Sequence, residues 1–494
     1  MTAPQPTSVL SRELLPASVA LFTLVGLAAF ENLGVAAALP ELAAQLGQVE
    51  LLPWVITSYL IVSGVATPLS GALIDSLGLR IIFRTGVVVF IAGAVIAGLA
   101  SSMTVLIAGR VVQGAGAGAL VAVGLAGVNI VYPEHLVGRA FAANSTVWGV
   151  MGVAGPGLAA LILTVASWEW IFFVNIPLGA LALAVGWRVM PGRLAGSNPP
   201  RVDSRGLIMV LFFNLAVLLA VDQFGPWSAL WGAIAGGLVV AYLRHARRHP
   251  EPVMKTRHLA DPPYGLLAWS VSLLLAGGIA VQSFFTLYVR GGRGAGEALT
   301  AWSVFFFVIG WTAGANLSSR LLDRTAETTV MIIGFATTIT SLAAVLTLSA
   351  VEAPLWILFS IMTLTGSGIG MATNAALTLL RSVTLADESG RATSAHQFYR
   401  NLGFAVGAAV GGAVMLFVVA RQVGDVEAVR ELLAGADGAG VTGGAIEDGF
   451  SAAAGAALIL AIIGVIPMRS LRRYLEPARL VADEERRSHV RYVP

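Results

Sequence analysis

The chain has 494 residues, 57% of them hydrophobic and only 12% charged, with a net charge of +3; soluble domains carry about 25% charged residues. A chain this apolar has too little polar surface to cover itself in water, which excludes an ordinary soluble enzyme or binding module and points to an integral membrane protein. Cysteine is absent, so disulfides, thiolate metal sites and a cysteine nucleophile are excluded, and the small positive charge needs no nucleic acid to explain it.

The first apolar run, 17–39, contains Glu31 and is too long for a secretory leader, so a membrane helix is expected there. About 20 apolar residues cross the hydrocarbon core. On that measure further helices are expected at 52–74, 81–101, 104–131, 140–165 and 170–190, then two shorter ones at 206–221 and 227–243. Six more follow at 263–288, 298–319, 328–350, 354–380, 394–420 and 450–468. With the N-terminus inside, 24 of the 30 basic residues fall in inner loops and tails and four in outer loops, while Arg110 and Arg400 lie within helices.

The expected fold is all-α and integral to the plasma membrane, with about 14 transmembrane helices. Two six-helix bundles plus two linking helices are expected, with both termini cytoplasmic. The expected divisions are 1–190 for the first bundle, 191–262 for the linkers and extra helices, 263–468 for the second bundle and 469–494 for a basic tail. The linkers "PGRLAGSNPPRVDSR" and "RHARRHPEPVMKTRHLADP" are polar and basic, as suits loops beside anionic lipid headgroups. "GALIDSLGLR" (71–80) and "SRLLDRTAET" (319–328) place Asp75 and Asp323 after the second helix of each six, which favours two related halves.

Arg110 poses the central question of the first half. A charge within a span costs roughly 2.5–3.5 kcal/mol on insertion scales and calls for a partner. Arg110 lies about 9 Å, and Glu31 about 12 Å, below the same outer surface when helix rise is counted from the span ends. The two are expected to pair, directly or through water or Gln113. A carboxylate can be neutralised by a proton whereas arginine, with a pKa above 12, cannot, so Glu31, Arg110 and Gln113 are the candidate proton-coupling residues; a fixed pair locking two helices is the structural alternative.

Asp75 is expected either to cap a turn or to act as a latch that engages a helix end or Arg80, with Gly71 and Gly78 in the same motif. Gly149, Gly152, Gly155, Pro156 and Gly157 make a small-residue face with a weak point, suited to close packing or a hinge. The candidate substrate pocket takes Asn32, Phe284, Phe285, His396 and Arg400. Trp168, Trp170, Phe172 and Phe173 are expected to anchor an outer interface. His245 and His249 stand four apart in an arginine-rich loop with no third ligand in view, so no metal site is expected.

These motifs resemble those of the major facilitator superfamily, in its fourteen-helix drug:proton antiporter branch. "WVITSYLIVSGVATPLSGALIDSLGLR" (54–80), "RVVQGAGAGAL" (110–120), "GVMGVAGPGLAA" (149–160) and "WEWIFFVNIPLG" (168–179) carry the likeness in the first 190 residues, and "YRNLGFAVG" (399–407) in the second half. The chain departs from the pattern at Ser76 and Leu79, at Ala159–Ala160, at Glu169, and at Glu31 and Ala36 in the first-helix motif. The resemblance implies a secondary transporter, a multidrug-efflux type of proton-coupled antiporter that exports amphipathic or cationic small molecules by alternating access. An exporter of a lipid or endogenous metabolite is the nearest alternative, and a non-transporting receptor or scaffold a more distant one. No enzyme chemistry and no cofactor beyond the proton gradient are expected. The partners are a small-molecule substrate, protons and membrane lipids, acting on a monomer. ATP is excluded because Lys255, the single lysine, follows Met254 and forms no phosphate loop.

Overall fold

The computed structural model describes residues 6–48, 51–192, 202–222, 226–424 and 442–490, and no strand occurs among them. Sixteen α-helices follow in chain order: α1 Leu15–Leu46, α2 Leu52–Leu77, α3 Leu79–Gly98, α4 Met103–Val131, α5 Glu134–Val165, α6 Glu169–Phe173, α7 Asn175–Gly186 and α8 Ser204–Asp222. Then come α9 Pro226–Arg248, α10 Thr256–Leu259, α11 Tyr264–Leu287, α12 Glu297–Leu322, α13 Glu327–Ala350, α14 Leu355–Val383, α15 Ser389–Val423 and α16 Gly443–Val490. Helices are what a lipid interior demands, because each closes its backbone hydrogen bonds within one segment.

Among the described residues ten helical segments, α6 and α7 together counted as one, are long and apolar enough to cross a membrane, or eleven if the two arms of α5 count as one span. Those arms, Glu134–Gly152 and Gly157–Val165, meet at 44° around the glycine-rich motif. Shorter apolar stretches lie in α1 and α8, at Leu15–Glu31 and Ser204–Ala220.

Several boundaries differ from expectation. The sixth segment is broken at Val174 into α6 and α7, α15 starts at Ser389 rather than near 394, and α16 continues to Val490 rather than ending near 468. The earlier start of α15 places Arg400 more than ten residues into the helix instead of near its end. Trp168 is not a lipid anchor: it is buried, and its indole donates to Gln45 Oε1 at 3.0 Å. Phe172 is buried too, whereas Trp170 is 56% exposed. Residues 193–201 of the first linker and 425–441, between α15 and α16, lie outside the described residues.

Glycine sets how the helices meet. On α4, a Cβ at Gly114 would fall 2.7 Å from the Tyr59 carbonyl and one at Gly118 2.6 Å from the Ser63 carbonyl, so this pair admits α2. Gly109 and Gly116 admit α3 in the same way, at Ala97 and Phe90. The second half repeats the device: Gly310 and Gly314 of α12 meet carbonyls of α14, and Gly366 and Gly370 of α14 meet carbonyls of α12. Small residues let backbones approach where lipid supplies no hydrophobic drive for association.

Each half has its own apolar core. Phe285, Tyr288 and Phe450 stack in the centre of the second with Phe359 edge-on to Phe285, and Phe83, Phe90, Leu120 and Phe141 lie in the first. The halves touch through α2 with α15, α4 with α15, α5 with α12 and α5 with α14. The α8–α9 pair seats beside this seam, α8 packing on both α2 and α15.

Candidate functional site

The charge in the opening motif of α4 is matched. Arg110 Nη1 donates to Glu31 Oε1 in a fully buried ion pair between α4 and α1. The same nitrogen donates to Gln113 Oε1 at 2.7 Å, and Nε donates to the Val55 carbonyl at 2.9 Å. The guanidinium lies 4.2 Å from the centroid of the Tyr59 ring and 5.8 Å from that of Phe172. Asn175 donates from Nδ2 to the other carboxylate oxygen, Glu31 Oε2, at 2.8 Å. Five helices, α1, α2, α4, α6 and α7, thus converge on one pair of charges.

The energetics of this cluster rest on its completeness. A buried pair offsets its desolvation only when the remaining donors and acceptors are met, and removing one member costs about 3–5 kcal/mol. Two amide atoms remain over, Gln113 Nε2 and Asn175 Oδ1, buried and without a partner among the described residues. They lie beside the one group here that a proton can neutralise, so the cluster has capacity to rearrange when Glu31 changes charge.

Asp75 forms a second constellation, at the opposite end of the helices. Its Oδ1 accepts from the Gly390 N–H at 2.7 Å and its Oδ2 from the Arg391 N–H at 2.9 Å. The carboxylate of α2 therefore caps the N-terminus of α15, where free N–H groups and the helix dipole favour a negative charge. Gly71 makes the approach possible, since a Cβ there would fall 2.5 Å from the Gly390 carbonyl. Of the two expected partners, the structure supplies the helix end. Arg80 turns away, donating from Nε to the Met190 carbonyl at 2.7 Å and fastening α3 to the end of α7. Gly78 joins α2 to α3 with φ of +90°, a conformation that excludes most side chains.

The equivalent acid in the second half also crosses the seam, but through a side-chain ion pair. Asp323, at the end of α12, accepts from Arg139 Nη2 on α5 at 2.7 Å. Each half thus reaches across to the fifth helix of the other. Further cross-seam bonds lie at this same end: Arg381 Nε to the Asn129 carbonyl at 3.0 Å and Asn129 Nδ2 to Thr393 Oγ1 at 3.2 Å.

The family model for the Major Facilitator Superfamily matches residues 20–408. The chain belongs to that superfamily. Among its relatives, an uncharacterized transporter of Escherichia coli (strain K12), YebQ, is 29% identical over 384 residues, covering 75% of this chain and 81% of the relative. Multidrug resistance protein 3 of Bacillus subtilis (strain 168) is 25% identical over 424 residues, covering 82% and 81%. An MFS-type transporter of Mycobacterium tuberculosis (strain H37Rv), Rv1877, is 27% identical over 78% of this chain, which spans only 57% of that relative's length. In three dimensions the chain is similar to the human organic anion transporter MFSD10, with a TM-score of 0.60 at 15% identity, covering 94% of this chain and 100% of that one. At that identity the likeness is one of fold. The superfamily consists of transporters, so this protein is a membrane transporter and not an enzyme.

Within the superfamily frame the other predicted residues separate. Gly149 and Gly152 face α12, where Cβ atoms would fall 2.0 Å from Thr312 Oγ1 and 3.0 Å from Val308 Cγ1. They set the α5–α12 seam. Gly155 is buried at the bend of α5, while a Cβ at Gly157 would meet nothing within 4 Å. The side chains of Asn32 and Pro156 lie outside the described residues. Phe285 does not line a pocket: it is fully buried in the aromatic core of the second half. Phe284 is half-buried and packs at Gly411 of α15. On α15, His396 is 2% exposed with neither ring nitrogen partnered, and Arg400 Nε also lacks a partner among the described residues.

Two contributors were missed from the sequence. Asn175 stood within a quoted motif, and a lone amide in an apolar helix start was its available signal. Glu388, just before α15, gathers Lys255, Arg257 and His258 at 2.7, 2.9 and 3.1 Å and ties the second linker to the start of α15. Burial raises the Glu388 carboxyl, but the bond from Lys255 and the neighbouring positive charges outweigh it and hold the group below its usual range. Burial pushes His258 down to about 4, so its imidazole is neutral at pH 7.

Proposed function

We propose that this transporter is a proton-coupled antiporter that exports amphipathic or cationic small molecules across the plasma membrane by alternating access. The observation that carries the reading is the buried Glu31–Arg110 pair, a protonatable carboxylate set against a permanent cation. Protonation of Glu31 removes one partner's charge and leaves Gln113, Asn175 and the Val55 carbonyl to hold Arg110 and the acid in new bonds. A group that changes its partners with its charge can link proton entry to the access state. The name of the Bacillus subtilis relative, a multidrug resistance protein, supports the substrate class.

In this reading the chain forms fourteen spans, two rocking six-helix bundles joined by α8 and α9, with both termini in the cytoplasm. Cross-seam bonds at the Asp75 end then close the cytoplasmic side, so the arrangement is outward-facing. Arg400, His396 and Phe284 contribute to the substrate path between the bundles.

Purified protein in liposomes, challenged with cationic dyes, antibiotics and lipids under an imposed pH gradient, should release protons when one of them is added and accumulate it against its gradient. Accumulation that persists after the proton gradient is collapsed would refute proton coupling, and substrate movement confined to lipids would favour the lipid-exporter alternative. Orientation has its own test, since the background contains no cysteine. Single cysteines placed at 425–441 should react with an impermeant maleimide in intact cells, and ones at 249–255 should resist it; the reverse pattern would overturn the topology.

A further inference from the structure

We propose that Asp203, His245 and His249 form a binding site for a zinc-class divalent transition ion where the end of α9 returns to the start of α8. The sequence shows two histidines at helical spacing and no third ligand; the fold supplies it. The His249 N–H continues the ladder of α9 to the His245 carbonyl at 2.9 Å, so both rings stand on one face, with centroids 5.2 Å apart. α9 packs back along α8 and returns this face to the residue just before α8, Asp203.

Distances decide whether an ion fits. His245 Nε2 lies 2.8 Å and His249 Nε2 4.0 Å from Asp203 Oδ1. Tetrahedral ligands at about 2.0–2.1 Å from zinc stand roughly 3.3 Å apart. Opening the first gap by roughly 0.5 Å, closing the second by roughly 0.7 Å and drawing the two imidazole nitrogens together by rotation of the rings gives that geometry. Among the described residues this is the cluster whose three ligand atoms gather closely enough for an ion, all within 4.8 Å of one another.

The carboxylate gives a second, independent observation. Asp203 caps α8, its Oδ1 accepting from the Gly206 N–H at 2.9 Å. Capping leaves Oδ2 buried without a partner, on a side chain only 1% exposed. Gly206 is required for this placement, because a Cβ there would fall 2.2 Å from Oδ2. A buried carboxylate with one oxygen unmatched is costly unless a proton or a cation meets the group, and an ion on Oδ1 neutralises the charge that the two oxygens share.

The donor set selects the ion. Magnesium and calcium prefer all-oxygen shells, whereas two imidazoles and one carboxylate suit zinc, with a fourth position left for water. Binding through Nε2 needs a proton on the other ring nitrogen. His249 Nδ1 now accepts from the Glu251 N–H at 3.2 Å, so the ion displaces that bond.

The test uses full-length protein purified without a histidine tag and stripped with chelator, titrated with Co(II) followed by its visible absorption and then displaced by Zn(II). One ion per chain is expected, with no competition from magnesium or calcium. Loss of an outer partner of a ligand costs about 10–100-fold in affinity, so His245→Gln and His249→Gln should each weaken binding by more than that. Asp203→Asn should do the same while keeping a good cap for α8, which separates ligation from folding. His135→Gln should bind as the parent does. Failure of the parent protein to bind cobalt or zinc, or undiminished binding by the His245→Gln/His249→Gln double variant, would overturn the site.

Discussion

Glu31→Gln is expected to abolish uphill efflux while the protein still folds and reaches the membrane. The amide keeps the shape of the acid, and its oxygen can still accept from Arg110. Its NH₂ group would face Asn175 Nδ2, but Asn175 can turn its own unpartnered Oδ1 towards it. What the variant loses is the charge and the exchangeable proton. Arg110 is then a buried cation without a counter-ion, a loss bounded by the 3–5 kcal/mol of breaking a buried pair and softened by the acceptors at Gln113 and Val55. Substrate binding and downhill exchange should survive, and substrate-induced proton movement in proteoliposomes should vanish. Normal accumulation against a gradient by Glu31→Gln would make the pair structural.

The arginine side of the pair sharpens this. Arg110→Lys keeps the charge but loses the planar fork that reaches Glu31, Gln113 and the Val55 carbonyl at once, so partial activity is expected. Arg110→Gln strands a buried carboxylate and should lower the yield of folded protein more. Combining it with Glu31→Gln removes both charges and should restore yield without restoring coupling.

How far the sequence discloses this site depends on the kind of constraint. The Glu31–Arg110 pair was legible because charges within spans are expensive, and counting residues from the span ends put both at one depth. Helix existence was legible for the same reason, since apolar length is dictated by the bilayer. Rotation about a helix axis is not so constrained. Phe284 and Phe285 are adjacent and equally apolar, yet one packs at the α15 seam and the other is sealed in the aromatic core. Nor does hydropathy reveal Trp168 as a buried donor to Gln45, because its amphipathic ring suits an interface equally well. The third ligand of the histidine pair lies 42 residues away from His245 in the chain, and only the return of α9 along α8 brings it there.

Asp75→Asn is expected to shift the balance of access states rather than the fold. The carboxylate receives two N–H groups of α15 at once; an asparagine can accept only through its oxygen, and its NH₂ would confront the second N–H. Losing a cap costs about 0.5–2 kcal/mol, and a shift of 1–2 kcal/mol changes a two-state ratio roughly 5–30-fold. That energy is present only while α2 and α15 touch, so the variant should populate the state in which they part. A reporter cysteine at Ser394, now buried against α2 with its hydroxyl bonded to the Thr67 carbonyl, should react faster with maleimide by a similar factor. Turnover should slow in parallel, at near-normal expression. Asp323→Asn supplies the comparison: its pair with Arg139 is 41–45% exposed and so contributes at most about 1 kcal/mol. It should therefore move the same reporter much less. If Ser394→Cys reacts no faster in Asp75→Asn than in the parent, and transport is unchanged, Asp75 is a capping residue that stays engaged through the cycle and no latch operates there.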